Sequence, residues 1–216
     1  GIASCQYLET LILGENNLDG SIPAAVSNLT SLKELNLYSC NLAGDIPQGL
    51  EQMQKLSLLN LGNNQLTGSI PPSFGNLSDL WLLSFGTNKL SGSVPPTLGN
   101  IAALERFSVQ NNNLEGNLEF LSALSNCRNL IEIYIDVNSF TGVLSGHVGN
   151  LSSRLIKFMA GHNKLIGGIP ATISNLSSLV RIDLSDNLLT KPVPESTAML
   201  ENLVYLDLSN NNMLGP

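Results

Sequence analysis

With 216 residues, a net charge of −7 and a pI near 4.7, the chain has no electrostatic means of gripping a phosphate backbone or an anionic membrane surface, so neither nucleic acid nor direct membrane contact is expected of it. Although 43% of its residues are apolar, no run of 18 or more uncharged apolar residues occurs, so no bilayer span is expected. Residues 1–11 lack a basic stretch followed by an apolar one, so no signal peptide is expected there.

The first predicted element is a short strand in which Leu8, Leu11 and Leu13 supply one buried face, followed by Leu18 and Ile22 as further inward plugs. Its pattern, L-x-x-L-x-L-x-x-N-x-L-x-G-x-I-P, returns at Leu32, Leu56, Leu80, Leu104, Leu130, Leu155, Leu179 and Leu203. The steps are 24, 24, 24, 24, 26, 25, 24 and 24 residues. A unit that short cannot bury its own apolar side chains, so the copies must stack into one elongated solenoid. Residues 1–216 are therefore read as a single array of about nine repeats. Both termini fall inside a repeat and neither carries a polar capping unit, so an uncapped fragment of a longer protein is expected.

Each column of the repeat has a physical task. Gly20, Gly44, Gly68, Gly92, Gly116, Gly142, Gly167 and Gly215 share a turn position that a Cβ would obstruct, and only Lys191 breaks the column. Asn16, Asn64, Asn88, Asn112, Asn138, Asn163, Asn187 and Asn211 sit where the strand turns away and leaves backbone groups facing inward. A buried amide both donates and accepts, so these residues are expected to form a structural hydrogen-bonded ladder. Cys40 replaces Asn in the second unit. Past the glycine, Ile22-Pro23, Ile46-Pro47, Ile70-Pro71, Val94-Pro95, Ile169-Pro170 and Val193-Pro194 fix an extended backbone.

This G-x-I-P signature resembles the plant-specific class of leucine-rich repeats, over all nine units. That class occurs in receptor-like kinases, receptor-like proteins and polygalacturonase-inhibiting proteins. The resemblance implies a plant-type leucine-rich-repeat solenoid. Its concave face would be a parallel β-sheet, with a short second sheet at G-x-I-P and little helix. Units five and six depart from the template: they lack the proline and carry two extra residues within Glu119–Asn129 and one near Ser152-Ser153-Arg154. Loss of I-P there predicts an interruption of the second sheet between about Gly116 and Arg154. The paired irregularity is similar to a large receptor-kinase subfamily of grasses. That subfamily, numbered twelve among plant leucine-rich-repeat kinases, also holds the flagellin receptor and a rice bacterial-blight resistance receptor.

Cys5 and Cys127 occupy the column otherwise filled by Leu29, Met53, Leu77, Ile101, Leu176 and Leu200, so both are expected to be buried apolar substitutes. Five stacked repeats would hold them about 24 Å apart at a ~4.8 Å strand spacing, beyond the ~7 Å Cα limit of a disulfide. No disulfide and no metal site are expected. Four sequons begin at Asn28, Asn76, Asn150 and Asn175, all in one column one residue before a buried leucine, and read as outward-facing N-glycosylation sites. Asn100 and Asn126 share that column without a following hydroxyl.

No catalytic constellation and no cofactor motif is present. His147 and His162 lie in different units without a nucleophile at useful spacing, and Asp183 and Asp207 fall in L-D-L-S, a common spelling of this strand. Binding is the reading that remains. The solvent-facing strand positions gather Arg106-Ser108-Gln110, Glu132-Tyr134-Asp136, Lys157-Met159-Gly161 and Arg181-Asp183-Ser185 in units five to eight. Glu34, Asn36 and Tyr38 form a smaller set in unit two. Arg106, Tyr134, Asp136, Lys157, Met159 and Arg181 are the candidate ligand-binding residues, because aromatic, Met and Arg side chains are favoured interface anchors.

The resemblance then implies the ligand-recognition segment of a plant membrane receptor-like serine/threonine kinase, on the extracellular side of the plasma membrane, in immune signalling. Its partners would be an extracellular peptide or protein ligand and a co-receptor ectodomain. A kinase-less receptor-like protein or a secreted polygalacturonase-inhibitor type of binder is the alternative, and a cytosolic scaffold or immune receptor repeat the third reading.

Overall fold

A computed structural model describes residues 2–215 as a solenoid built on two walls of parallel sheet and one wall of short 3-10 turns. The principal sheet has nine strands in sequential order: Thr10–Ile12, Glu34–Asn36, Leu58–Asn60, Leu82–Ser84, Arg106–Ser108, Glu132–Tyr134, Lys157–Met159, Arg181–Asp183 and Tyr205–Asp207. Each strand pairs in parallel with the next, and like columns face each other without stagger, as in Thr10↔Glu34 and Lys157↔Arg181. The middle residue of each strand points inward. Leu35, Leu59, Leu83, Phe107, Ile133 and Phe158 are 0% exposed and join one continuous core that runs the length of the stack. The strands form because alternation gives each of them one apolar face, and stacking buries it.

The asparagine column closes the turn behind these strands. Asn112 Nδ2 donates to the carbonyls of Phe85, Val109 and Gln110 at 3.1, 3.0 and 3.2 Å, and its Oδ1 accepts from Leu90 N at 2.9 Å. One amide therefore ties its own turn to the preceding unit. Asn64, Asn88, Asn138, Asn163, Asn187 and Asn211 repeat the bonding to their own turns and to the preceding units. In unit two the Cys40 thiol instead donates to Leu13 O at 3.1 Å.

A lateral wall begins just after each asparagine. It comprises a pair, Ala43–Asp45 with Gln65–Thr67, and a five-stranded sheet of Ser91–Gly92, Asn113–Asn117, Ser139–Val143, Lys164–Gly167 and Leu188–Leu189. Here successive strands are staggered by two columns, since Gly92 faces Leu114 and Gly116 faces Phe140. That offset is about 6.6 Å per strand at the usual rise, while the principal sheet has none, so the two walls are sheared relative to each other.

The lateral sheet overturns one expectation from the sequence. It is not interrupted in units five and six; its two five-residue strands, Asn113–Asn117 and Ser139–Val143, lie there. The proline position lies two residues past the last column that these strands reach, in Ala43–Asp45 before Pro47 as in Asn113–Asn117 and Ser139–Val143, so loss of the proline leaves the ladder intact. The gap falls instead between Gln65–Thr67 and Ser91–Gly92.

The third wall is made of five-residue 3-10 turns, such as Ala24–Asn28 and Pro96–Asn100. In units with I-P the proline enters the turn at φ near −65°, as Pro23 does. Ser145 takes a similar extended geometry, whereas Glu119 adopts helical angles and opens the short α-helix Phe120–Leu124. The two extra residues of unit five are absorbed there. Phe120 enters the core between Phe107 and Phe140, with ring centroids 6.5 and 5.6 Å away. The extra residue of unit six is held by Ser152, whose Oγ donates to Arg128 O at 2.7 Å and accepts from Arg154 N at 3.1 Å.

Two backbone features carry the turns. The glycines from Gly20 to Gly167 in the turn column have φ of 77–94°, a region open to glycine. A second left-handed column, seven residues past each start leucine, contains no glycine: Glu15, Ser39, Asn63, Thr87, Asn111, Val137, His162, Asp186 and Asn210 have φ of 50–60°. Thr87 and Val137 are the costly members, because a β-branched side chain is poorly tolerated there.

Cys5 is a second correction. It is exposed, whereas Cys40 and Cys127 are buried. Leu200, in the same column at the other end of the stack, is buried with a unit on one side only, so the difference lies in the covering turn: the five-residue turn Glu195–Met199 precedes Leu200, whereas the turn before Cys5, Ile2–Ser4, has three residues. Burial pushes the Cys127 thiol up to about 11, which makes it an inert packing group.

Candidate ligand-binding surface

On the solvent side of the principal sheet each strand presents residues two, four and six positions past its start leucine. In units five to nine the first of these columns reads Arg106, Glu132, Lys157, Arg181, Tyr205 and the second reads Ser108, Tyr134, Met159, Asp183, Asp207. Glu132, only 16% exposed, lies between two cations, 2.9 Å from Lys157 Nζ and 3.5 Å from Arg106 Nε. Lys157 Nζ also donates to Tyr134 Oη at 3.1 Å and lies 5.9 Å from that ring's centroid. Hydrogen bonds to Glu132, then to Tyr134, raise the Lys157 pKa and keep its charge fixed. Arg106, Tyr134 and Lys157 therefore form one pre-organised network through Glu132, with Met159 in register beside Tyr134.

Arg181 belongs to a second group. Its guanidinium lies 4.8 Å from the Tyr205 ring centroid, and Tyr205 Oη donates to Asp207 Oδ2 at 3.0 Å. Asp207 Oδ1 accepts from Ser209 N and Oγ at 2.9 and 2.6 Å, and these bonds hold its carboxyl below the usual range. The hydrogen bond to Asp207 in turn raises Tyr205. Asp183 repeats the motif with Ser185 at 2.9 and 2.7 Å. Asp136 stands apart from both groups. Its Oδ1 is buried with no partner, and burial, reinforced by Asp183, pushes its carboxyl up against the opposing pull of its own backbone and His162.

A shallow depression of about 170 Å³ opens at the unit-five end, lined by Asn60, Leu82, Ser84, Arg106, Gln110 and Tyr134. Glu132 and Tyr205 are the two participants that composition did not single out. The column spacing points to both, since each lies two residues past a start leucine.

Asn28, Asn76, Asn150 and Asn175 are exposed, each the last residue of a 3-10 turn. Among the described residues, no cluster of three His, Cys, Asp or Glu could hold a metal ion, and no helix is long and apolar enough to cross a membrane. His162 Nε2 lies 3.4 Å from Asp186 Oδ2, and His147 is exposed in another unit.

Comparison with known proteins agrees with the leucine-rich-repeat fold. The leucine-rich-repeat family profile matches residues 153–213, and a second leucine-rich-repeat profile matches residues 7–29, 31–53 and 55–77. The LRR receptor-like serine/threonine-protein kinase EFR of Arabidopsis thaliana is 37% identical over 67 residues, covering 31% of this chain and 6% of that protein. Among solved structures, a TDR receptor is similar with a TM-score of 0.93 and 34% identity, over 98% of this chain and 36% of its own. The Arabidopsis receptor kinase HAESA, in complex with the peptide hormone IDA and the co-receptor SERK1, gives 0.89 and 30%, over 97% of this chain and 35% of its own. The chain thus spans a small part of the curated relative and about a third of these receptor structures.

Proposed function

We propose that this leucine-rich-repeat solenoid is an extracellular ligand-recognition segment of a plant membrane receptor-like serine/threonine kinase acting in immune signalling. The ligand is a peptide or protein held on the solvent side of the principal sheet in units five to eight, and a co-receptor ectodomain completes the assembly. Arg106, Tyr134, Asp136, Lys157, Met159 and Arg181 are the contact residues, and Asn28, Asn76, Asn150 and Asn175 carry N-glycans on the 3-10 wall.

The observation that carries this reading is the locked Arg106–Glu132–Lys157–Tyr134 network on a rigid sheet. Side chains fixed before binding lose little entropy when a partner arrives, and a row of shallow contacts suits an extended peptide better than a small metabolite. Similarity to a receptor solved with a peptide hormone and a co-receptor supports the same class of ligand. Reading the parent reading frame beyond Pro216 tests the assignment. A transmembrane helix followed by kinase motifs is the expected outcome. A disulfide-bonded cap and a stop codon would transfer the chain to the secreted inhibitor type instead.

A further inference from the structure

The depression at the unit-five end, about 170 Å³ in volume, equals roughly five or six waters and has room for one side chain of a ligand. It forms where the outward residues of the principal sheet are small. Strand register runs Asn60, Ser84, Ser108, Tyr134 across units three to six, so two serines lie between an amide and an aromatic ring. Gly62 and Gly86 add no side chains two residues further along their strands, and the Gln110 side chain folds over Gly86. On the other flank stand Leu82 and, in register with it, Arg106.

The hydrogen bonds already made around this depression engage its acceptors and leave its donors over. Asn60 Oδ1 accepts from Gly62 N at 3.1 Å, and Gln110 Oε1 accepts from Ser108 Oγ. Tyr134 Oη accepts from Lys157 Nζ, and both Glu132 oxygens face cations. By contrast, Asn60 Nδ2, Gln110 Nε2, the Tyr134 hydroxyl hydrogen and the terminal Arg106 nitrogens donate to nothing among the described residues. Charge has the matching sign. Of the nine outward positions in units three to five, three per unit, Arg106 alone is charged. Glu132 on the next strand lies nearer Lys157, at 2.9 Å, than Arg106, at 3.5 Å. Two cations share one carboxylate, and Arg106 is the less compensated of them.

We infer that this depression selects an acidic side chain, Asp or Glu, of the bound peptide. A carboxylate only accepts hydrogen bonds, so it takes the free N–H groups of Arg106 as a fork and meets the amide and hydroxyl donors around it, while its stem lies against Leu82. It completes a row of alternating charge: ligand carboxylate, Arg106, Glu132, Lys157. The depression sits in mid-sheet with strands continuing on both sides, so a peptide running along the sheet presents a side chain here rather than its end. Selection of an acidic side chain rests on peptide binding to the principal sheet and adds which residue the peptide must carry.

Titration calorimetry with a selected peptide tests it. A random library is displayed against the 216-residue chain, and the tightest peptide is synthesised with acetyl and amide ends so that no terminal charge remains. Each Asp or Glu of that peptide is then replaced in turn by Asn or Gln. One such replacement should weaken Kd about tenfold or more, and Arg106→Gln in the chain should weaken the parent peptide about as much. The two changes together should cost little beyond either alone, because both remove the same contact. Arg106→Glu should regain affinity with a peptide that carries Lys at that one position. Arg106 is exposed, so its variants should keep the wild-type urea midpoint. A peptide without Asp or Glu, indifference to the amide replacements or to Arg106→Gln, or affinity that requires a free C-terminal carboxylate would each overturn the inference. If such a peptide still loses affinity on Tyr134→Ala with Lys157→Ala, peptide binding to the principal sheet stands and only the acidic side chain falls. A library without binders, or binders indifferent to that double change, would remove both.

Discussion

Replacing Asn112 with Ala isolates the contribution of the amide ladder. Four hydrogen bonds disappear, but their consequences differ. Phe85 O keeps Asn88 Nδ2 at 2.9 Å, Val109 O keeps Asn138 Nδ2 at 3.0 Å, and Gln110 O keeps Thr87 N at 2.7 Å. Leu90 N has Asn112 Oδ1 as its acceptor and is left unpaired inside the stack. The cost is therefore that of one stranded buried donor, about 1–3 kcal/mol, rather than four full hydrogen bonds. Asn112→Asp refines the test, because a carboxylate still accepts from Leu90 N but now faces three carbonyl oxygens. That raises its folded-state pKa above the unfolded one. The Asp variant should be less stable than the Ala variant at neutral pH and should recover as pH falls through the carboxylate range. Urea denaturation of both, with solvent-facing Arg106→Ala as the control expected within about 0.5 kcal/mol of wild type, supplies the measurement. Equal losses for Asn112→Ala and Arg106→Ala would show that the assignment of inward and outward faces is wrong.

Val137 is 41% exposed at φ 52°, so Val137→Asn gives up little burial and should raise stability by about 1 kcal/mol in urea melts. A loss instead would mean that the valine packs usefully. Because burial holds the Asp136 carboxyl above its ordinary 3.8, its ionisation opposes folding once pH exceeds that range; Asp136→Asn should stabilise the chain at pH 7, with the gain fading near pH 4. A gain independent of pH would assign the effect to something other than charge. A thiol reagent should label one cysteine, Cys5, in the native chain and all three in urea, given that Cys40 and Cys127 are buried; slow labelling of Cys5 would show that it is covered. Gly99→Ala would drive a Cβ into the Ala123 carbonyl oxygen, and the forced backbone shift should lower the urea-melt stability by about 1–3 kcal/mol, whereas wild-type stability would mean that the 3-10 wall yields freely.

The leucine and asparagine columns were legible because each residue type answers one local demand, apolar burial or a donor and acceptor together, repeated without change. What the sequence hid depends on relations between units. Val137 and His162 give no sign of a left-handed backbone, since that column is spelled with nine residues of mixed character. The lateral sheet runs on where proline is missing, the opposite of the expected interruption, because the strands end two residues short of the proline position and do not depend on it. Cys5 shares a column with buried residues yet lies open, because the turn that precedes it has three residues where the turn before Leu200 has five. At the candidate surface, Arg106, Tyr134 and Lys157 were found by residue type; the column spacing placed Glu132 on the same face, but its role in joining them emerged only from the distances.

The most direct test of ligand recognition on the principal sheet is a binding measurement with Tyr134→Ala and Lys157→Ala combined. The probe is the tightest peptide selected from a displayed random library against the wild-type chain, with affinities read by titration calorimetry. If the network anchors ligands, the folded double variant should lose about 2 kcal/mol or more, roughly thirtyfold in Kd. Unchanged affinity in a variant with a wild-type urea midpoint would place recognition on another stretch of the solenoid and contradict the account.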